Sequence, residues 1–353
     1  MGDLLYCRAG FEPECAQEIE WHATQRGGHG YARAERDSGY VVFNGEGPTP
    51  AVRELVFARQ SLALGAELKG LDPRDRLGPV LEWLRANEVR VCDAWVEAPD
   101  STAGGELTTL CRGLEAAALA ALRKHKLLDP ASTQRLHLCM VSGTHALLAL
   151  ADVATASPWR GGIPRLKLPR EAPSRSALKI EEAWLVLMDE AERERWLRAG
   201  LTAVDLGAAP GGWTWQLARK SIRVTAIDNG PLAQHVLDTG VVTHERADGF
   251  RWRPRKPVDW VVCDMVEQPS RVATLIAHWL VDGHARAALF NLKLPMKKRW
   301  PEARACLDGL SEALANAGKG AYDLRAKQLY HDREEITVVA LPQRSKRGSR
   351  SAS

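Results

Sequence analysis

The stretch best equipped for chemistry is Val204-Asp205-Leu206-Gly207-Ala208-Ala209-Pro210-Gly211-Gly212-Trp213-Thr214, an apolar run that enters a glycine-rich turn and leaves it as a helix. Glycines there let a ligand come close to the backbone, and the start of a helix offers free N–H groups. A tight strand-to-helix turn needs no ligand to explain it. The next apolar run, however, Arg223-Val224-Thr225-Ala226-Ile227, ends in Asp228. A carboxylate at the tip of the second strand of an open α/β sheet can accept both hydroxyls of a ribose, and the two strand ends then face one crevice. The pair points to a nucleoside-containing cofactor. Gly207 is followed by Ala-Ala-Pro, so the G-x-G-x-x-G spacing is absent, and no G-x-x-x-x-G-K-[ST] occurs. Both facts argue against a dinucleotide and against a P-loop nucleotide.

The string Asp-Leu-Gly-Ala-Ala-Pro-Gly-Gly-Trp closely resembles the S-adenosylmethionine loop of the FtsJ/RrmJ family of ribose 2′-O-methyltransferases. That family pairs the loop with a Lys-Asp-Lys-Glu tetrad, and four residues match it in order. Lys179 stands in Pro173-Ser174-Arg175-Ser176-Ala177-Leu178-Lys179, and Asp264 in Val261-Val262-Cys263-Asp264-Met265. Lys293 follows Ala288-Leu289-Phe290-Asn291-Leu292, and Glu335 lies in Arg333-Glu334-Glu335-Ile336-Thr337-Val338-Val339-Ala340. Singly, each has an ordinary explanation as a surface lysine or a helix-capping aspartate. Four in the family's order around one cofactor loop do not. Two more segments, Phe290-Asn291-Leu292-Lys293-Leu294-Pro295-Met296-Lys297-Lys298-Arg299 and Asp228-Asn229-Gly230-Pro231-Leu232, are similar to the RlmM subgroup. That subgroup methylates a cytidine ribose of large-subunit ribosomal RNA.

The resemblance implies a Rossmann-like class I methyltransferase domain with S-adenosyl-L-methionine as cofactor. It also implies 23S ribosomal RNA, or its large-subunit precursor, as partner, with a cytidine of the peptidyl-transferase region as target. The family's cofactor contacts carry over as Ser176, Ala209, Pro210, Gly211, Gly212, Asp228, Asp248 and Asp264, with Asp248 beside the adenine. Its catalytic roles fall on Lys293, as proton acceptor, and on Lys179, Asp264 and Glu335. Methyl transfer to a hydroxyl is an in-line displacement in which positioning matters, and a ribose 2′-hydroxyl is a poor acid. To act as base, Lys293 needs its pKa lowered by burial and by the Lys179 cation, against the opposite pull of Asp264 and Glu335. The conservative alternative has both lysines orient the hydroxyl and stabilise oxyanion character while the carboxylates fix the ammonium groups.

Other chemistries fit less well. Amine methylation commonly uses an Asn/Asp-Pro-Pro-Tyr/Phe loop, whereas Asp264 is followed by Met-Val-Glu. Cytosine carbon methylation needs a cysteine nucleophile, and Cys263 alternates to the wrong side of its strand, as a core residue. An NAD-dependent oxidoreductase lacks its fingerprint. A catalytically inactive RNA-binding module would not need the tetrad, and a methyltransferase of another RNA, such as tRNA, is the remaining alternative. Nothing suggests a metal site.

The elements that must position these residues follow from pattern. With 45% hydrophobic and 26% charged residues the chain is neither disordered nor fibrous, and it has material for real cores. From 179 to 341 strands and helices alternate (Thr202–Leu206, Trp213–Arg219, Arg223–Ile227, Trp260–Cys263, Val272–Leu280, Ala287–Leu292, Glu302–Ala315, Ile336–Leu341), which predicts a parallel, doubly wound sheet. Residues 1–150 read as α+β. Strands are expected at Leu4–Cys7, Tyr40–Phe43 and Arg90–Val96, and helices at Pro13–Thr24, Ala51–Arg59, Leu77–Ala86 and within Glu106–Lys126. A hairpin of Arg135–Val141 and His145–Ala151 closes the region. With the subgroup's architecture this gives a ferredoxin-like unit over 1–60, a THUMP-type RNA-binding domain over 61–155, a basic Pro-rich linker over 156–175, the methyltransferase domain over 176–342 and a disordered basic tail over 343–353.

A net charge of +4 proves nothing about nucleic acid, but its distribution is uneven. Arg160, Arg165, Lys167, Arg170, Arg175 and Lys179 face only Glu171 between Ser157 and Lys179, and Lys293, Lys297, Lys298 and Arg299 form a second cluster. Arg344, Lys346, Arg347 and Arg350 lie in the tail. Such clusters suit a phosphate backbone, and Trp159 and Trp300 beside them suit base stacking. Seven scattered cysteines without C-x-x-C, no secretory signal and no membrane-spanning run point to a cytoplasmic, membrane-free chain, expected to act as a monomer.

Overall fold

The computed structural model describes residues 2–318 and 322–343. The expected tail residues Arg344, Lys346, Arg347 and Arg350 lie outside the described residues. The chain divides into two units, at Arg165 and Leu166.

The first unit contains β1 (Gly2–Tyr6), α1 (Glu12–Gln25), β2 (His29–Ala34), β3 (Tyr40–Glu46), β4 (Gln60–Lys69), α2 (Gly78–Ala86), β5 (Asp93–Glu97), α3 (Thr102–Glu106), α4 (Thr108–Lys124), β6 (Gln134–Ser142) and β7 (His145–Asp152). All seven strands form one sheet in the order β2-β3-β1-β4-β7-β6-β5, and only the β5–β6 pair is parallel. Alternation along β6 explains its packing. Leu136, Leu138 and Met140 join the core that includes Leu84, Val91 and Leu122, whereas Cys139 belongs to the opposite face with Leu4, Leu62 and Ala149. The β6–β7 hairpin forms where the alternating pattern places it.

One expectation for this half needs correction, and two others gain detail. The helix expected over Ala51–Arg59 is a single 3-10 turn at Val52–Glu54. The N–H groups of Val56 and Phe57 instead donate to the buried carboxylate of Glu18, at 2.5 and 2.8 Å, so they are not available to continue a helix. The strand β4 that follows pairs with β1 on one side and β7 on the other, so the sheet runs without a break across position 60/61. Finally, the basic linker is divided. Its first part belongs to this unit, where Arg160 pairs with Glu115 at 2.5 Å, Arg165 with Asp100 at 3.5 Å, and the Gly161 N–H donates to Glu97 at 3.0 Å.

The second unit contains α5 (Ala177–Leu187), α6 (Glu190–Trp196), β8 (Thr202–Leu206), α7 (Gly212–Arg219), β9 (Arg223–Ile227), α8 (Gln234–Leu237), β10 (Val242–Glu245), β11 (Val258–Cys263), α9 (Pro269–Val281), β12 (Ala285–Lys293), α10 (Arg299–Asn316), β13 (Tyr322–Lys327) and β14 (Glu335–Pro342). Its sheet has the order β10-β9-β8-β11-β12-β14-β13. The first five strands are parallel, but β14 is antiparallel to both β12 and β13. The sheet is therefore mixed, not wholly parallel. The loop 328–334 is too short to hold a crossover helix, so β13 and β14 can only form a hairpin. That reversal matters for the site, because β14 begins at the edge where the parallel strands end. Trp184, Trp213, Leu217, Trp260, Leu289 and Val339 fill the core between the sheet and helices α5 and α7. No helix among the described residues is long and apolar enough to cross a membrane.

Candidate active site

The glycine-rich turn after β8 has the backbone its sequence demands. Gly207 and Gly211 have φ of +76° and +113°, conformations that side chains other than glycine rarely adopt. Gly212 opens α7 directly against Ser174 and Ser176, whose hydroxyls would overlap any added Cβ. These two hydroxyls lie 2.7 Å apart. Asp228, at the end of β9, accepts the N–H of Ala209 at 2.9 Å and of Gly230 at 2.7 Å. It thus pins the turn, and its carboxylate still has lone pairs for ribose hydroxyls.

A cavity of about 250 Å³ opens over this turn, lined by Ser174, Ser176, Asp205, Gly207, Ala208, Ala209, Pro210, Trp213 and Asp264. Asp205 is buried, and burial pushes its pKa up to about 7 although the Thr214 hydroxyl donates to it at 2.6 Å. Ser176, Ala209, Pro210 and Asp264 therefore line the cavity among the expected contacts, while Gly211, Gly212 and Asp228 shape the turn around it. Asp248 does not line it. Its half-exposed carboxylate accepts the Phe250 N–H at 2.9 Å and lies 3.7 Å from Arg251. Ser174 and Asp205 also line it and were not among the expected contacts, although both stand within the quoted motifs; the spacing Ser-x-Ser was the available signal for the first.

Beside the cavity the four tetrad residues close into a ring of alternating charge. Lys179 Nζ, from the first turn of α5, lies 2.5 Å from Glu335 Oε1 and 3.3 Å from Asp264 Oδ2. Lys293 Nζ donates to Asp264 Oδ1 at 2.6 Å and also to Glu335 Oε2. Lys293 and Glu335 are direct partners across β12 and β14, so the strand reversal itself creates one side of the ring. Their side chains are 22% and 5% exposed, and those of Lys179 and Asp264 15% and 16%. Lys293 is thus the most open member of the ring and Glu335 the most buried. Glu182, one turn after Lys179, accepts the N–H groups of Tyr330 and His331 at 2.8 and 2.9 Å, fixing the loop that leads to Glu335.

The balance that the sequence left open falls on the acidic side. Burial alone would lower the pKa of Lys293, but the carboxylates of Asp264 and Glu335 hold it above the ordinary lysine value. Lys293 is an ammonium at rest, contrary to the lowered pKa expected of a base. Trp300 is also corrected. It is buried in α10 and has no face for a nucleobase, whereas Trp159 is half-buried. Cys263 is wholly buried, and burial pushes its thiol up to about 12, as a core cysteine requires. Lys167, Arg170 and Arg175 are exposed, and so are Lys297 and Lys298. No group of three or more metal-binding side chains occurs among the described residues.

A glycine-rich turn at the carboxyl edge of the parallel strands, next to a Lys-Asp-Lys-Glu ring, is the arrangement that the FtsJ-like methyltransferase class implies. The FtsJ-like methyltransferase family matches residues 172–295, the RlmM ferredoxin-like domain residues 1–62, and the N-terminal region of ribosomal RNA large subunit methyltransferase M residues 75–152. Two proteins of that last name, from Xanthomonas oryzae pv. oryzae (strain PXO99A) and Stenotrophomonas maltophilia (strain R551-3), are 54% and 55% identical to this chain. The matches cover 96% and 98% of the chain and 99% and 98% of those proteins. The chain belongs to the ribosomal RNA large subunit methyltransferase M family.

Proposed function

We propose that the protein transfers a methyl group from S-adenosylmethionine to the 2′-hydroxyl of a cytidine ribose in 23S ribosomal RNA, in the cytoplasm. The observation that carries this reading is the closed ring of Lys179, Asp264, Lys293 and Glu335 beside the glycine-rich turn. A single chain supplies the whole ring, so the chemistry needs no second copy. The RNA class follows from the names of the relatives, and the ribose oxygen from the ring.

The cavity suits the cofactor by its donor set. It has hydroxyls from Ser174 and Ser176, the buried carboxylate of Asp205 and the partly buried one of Asp264 for a cationic methionine end, and Asp228 behind the turn for the ribose. Asp248 is assigned to the adenine side on the resemblance alone. When bound, S-adenosylmethionine supplies an electrophilic methyl group on a sulfonium. The chain's own residues do the rest. Lys293, the most open member of the ring, and Lys179 beside it can hold the acceptor oxygen in line and stabilise the charge that develops on it. Lys293 takes the hydroxyl proton only in the small fraction of molecules in which it is neutral. Asp264 and Glu335 set the positions of both lysines.

RNA is held by the first unit, whose residues 61–155 we assign as a THUMP-type domain, and by the exposed cations Lys167, Arg170 and Arg175. The test is a map of ribose methylation in ribosomal and transfer RNA from cells with and without the gene. One 2′-O-methylcytidine of 23S RNA should disappear. An unchanged ribosomal map, or loss confined to transfer RNA, would reject the substrate.

A further inference from the structure

Behind the charged ring lies a second row of buried polar side chains. Asn291 and Thr337 are partners across β12 and β14, one inward-facing pair deeper than Lys293 and Glu335, and both have no exposed surface. Asn291 Nδ2 donates to Asp264 Oδ1 at 2.8 Å, the same oxygen that Lys293 contacts at 2.6 Å. The Thr337 hydroxyl donates to Asn291 Oδ1 at 2.7 Å and lies 3.2 and 3.1 Å from the two carboxyl oxygens of Asp332. Asp332 is itself buried, and its Oδ2 accepts the Leu329 N–H at 3.0 Å.

We propose that Asn291, backed by Thr337 and Asp332, is a positioning residue for methyl transfer, which fixes the Asp264 carboxylate so that one oxygen serves Lys293 and the other turns to Lys179. The inference rests on the tetrad reading above. The lysines do not choose this orientation by themselves, because Lys179 Nζ is almost equally far from the two oxygens of Asp264, at 3.5 and 3.3 Å. A third, directional donor on Oδ1 removes that ambiguity.

Hydrogen counting gives the row a sense of direction. The amide of Asn291 must present its NH₂ to Asp264, because the flipped amide would set a carbonyl oxygen against a carboxylate. Its Oδ1 then faces Thr337 and takes the one hydroxyl hydrogen that threonine has. The contact between Thr337 and Asp332 is satisfied only if the hydrogen there belongs to Asp332. Burial favours the same state, raising the Asp332 pKa well above the usual carboxylate range. The nearby negative charges of Glu335 and Glu182 push the same way, and the Leu329 N–H and the Lys179 cation oppose them. The donors therefore run Asp332 to Thr337 to Asn291 to Asp264, each bond polarising the next, and add no charge to the ring.

The experiment compares full-length variants for turnover, RNA KM, donor affinity and thermal midpoint. Thr337→Val removes one hydroxyl at nearly constant volume. A sub-ångström shift of Asp264 and Lys293 should lower kcat by roughly tenfold or more, with RNA KM and donor affinity within about threefold. Thr337→Ser should restore kcat, and Asp332→Asn, which keeps a neutral donor, should stay within about threefold of it. Should Thr337→Val not fold, Asn291→Ser, which withdraws the donor from Asp264, gives the same readout. The proposal is overturned by wild-type kcat in the folded break variant, or by failure of serine to rescue. An Asp332→Asn as impaired as Thr337→Val overturns it as well. Lys293→Ala measured in parallel separates the two ideas: an active Lys293→Ala sinks the tetrad itself, whereas an inactive one beside a normal Thr337→Val sinks only the positioning row.

Discussion

Both units are built on seven-stranded sheets, yet their buried acids have opposite uses. In the first unit Glu18 accepts the N–H groups of Val56 and Phe57, Glu12 those of Gly10 and Gly39, and Glu97 that of Gly161 together with the His137 ring at 2.7 Å. Each carboxylate fastens one piece of backbone to another. In the second unit Glu182 does the same, but Asp264 and Glu335 hold two lysine ammonium groups beside a cavity. Topology accounts for the difference. An almost wholly antiparallel sheet divides its strand ends between two edges, whereas five parallel strands deliver their carboxyl ends and the following loops to one. The single reversed strand, β14, then brings Glu335 to that edge as well.

The largest effect that tests this contrast is removal of a lysine from the ring. Lys293→Ala should bind the methyl donor nearly normally and lose about 10²–10⁴-fold in turnover. Its mirror in the first unit, a substitution in the Glu97–His137 pair, should change thermal stability and leave turnover of the folded fraction alone. The pH dependence carries the sign of the Lys293 shift. Because its pKa is raised, the neutral amine is scarce at pH 7 and grows about tenfold per pH unit until the titration is reached. If Lys293 accepts the proton, log kcat should climb with a slope near one between about pH 7 and 9. A flat profile over that range would assign it the purely electrostatic role.

The second largest effect concerns division of labour. A chain shortened to residues 166–353 keeps the whole second sheet, the cavity and the ring. It should fold, bind S-adenosylmethionine with the full-length affinity, and lose most RNA affinity and nearly all methylation. Calorimetry with the donor and a binding assay with RNA measure the two halves separately. Equal methylation by the short chain would move the substrate determinants to Lys297, Lys298 and their neighbours in the second unit.

How much of this was legible in the sequence differs between the halves for the same reason as their function. In the second unit the strands Thr202–Leu206 and Arg223–Ile227 are read to the residue, because strands buried on both faces are short apolar runs bounded by glycine and charge. The tetrad was visible through its resemblance to the family's order; Asp264, Lys293 and Glu335 stand at strand ends, next to those boundaries, whereas Lys179 lies in the first turn of α5. Hidden were β10, which has no fully buried residue, and β13, whose first four residues are only half-buried. In the first unit β2 is an edge strand with no fully buried residue, and the bonding of Val56 and Phe57 to Glu18 across 38 and 39 positions leaves no local trace. Asn291 was concealed differently. Within Ala288-Leu289-Phe290-Asn291-Leu292 it reads as one polar residue in a core strand, and only its partners Asp264 and Thr337 reveal its use.

A smaller effect distinguishes holding the turn from holding the ligand. Asp228→Ala leaves two backbone N–H groups without their acceptor and removes the expected ribose partner, so donor affinity should fall by about 1–3 kcal/mol. Asp228→Asn keeps one acceptor oxygen and should lose less. Unchanged affinity in calorimetry for the alanine variant would take Asp228 out of the cofactor site and leave it a structural residue like Glu18 in the first unit.

The smallest expected effect separates the two parts of the basic segment. Its five cations before Lys179 are all exposed, but Arg160 and Arg165 pair with Glu115 and Asp100 within the first unit, whereas Lys167, Arg170 and Arg175 lie in the second. Phosphate contacts release counterions, and each contact to a single strand contributes about 0.7 to the slope of log affinity against log salt. Charge reversal at Lys167, Arg170 and Arg175 should therefore weaken RNA binding and flatten the slope by up to about 2. Reversal of Arg165 alone should change the slope little, because its charge is committed to Asp100. If instead Arg165 carries the larger share of the salt dependence, its ion pair with Asp100 gives way to phosphate when RNA binds. The share of the basic segment in RNA binding would then extend back across both of its parts rather than begin at Lys167.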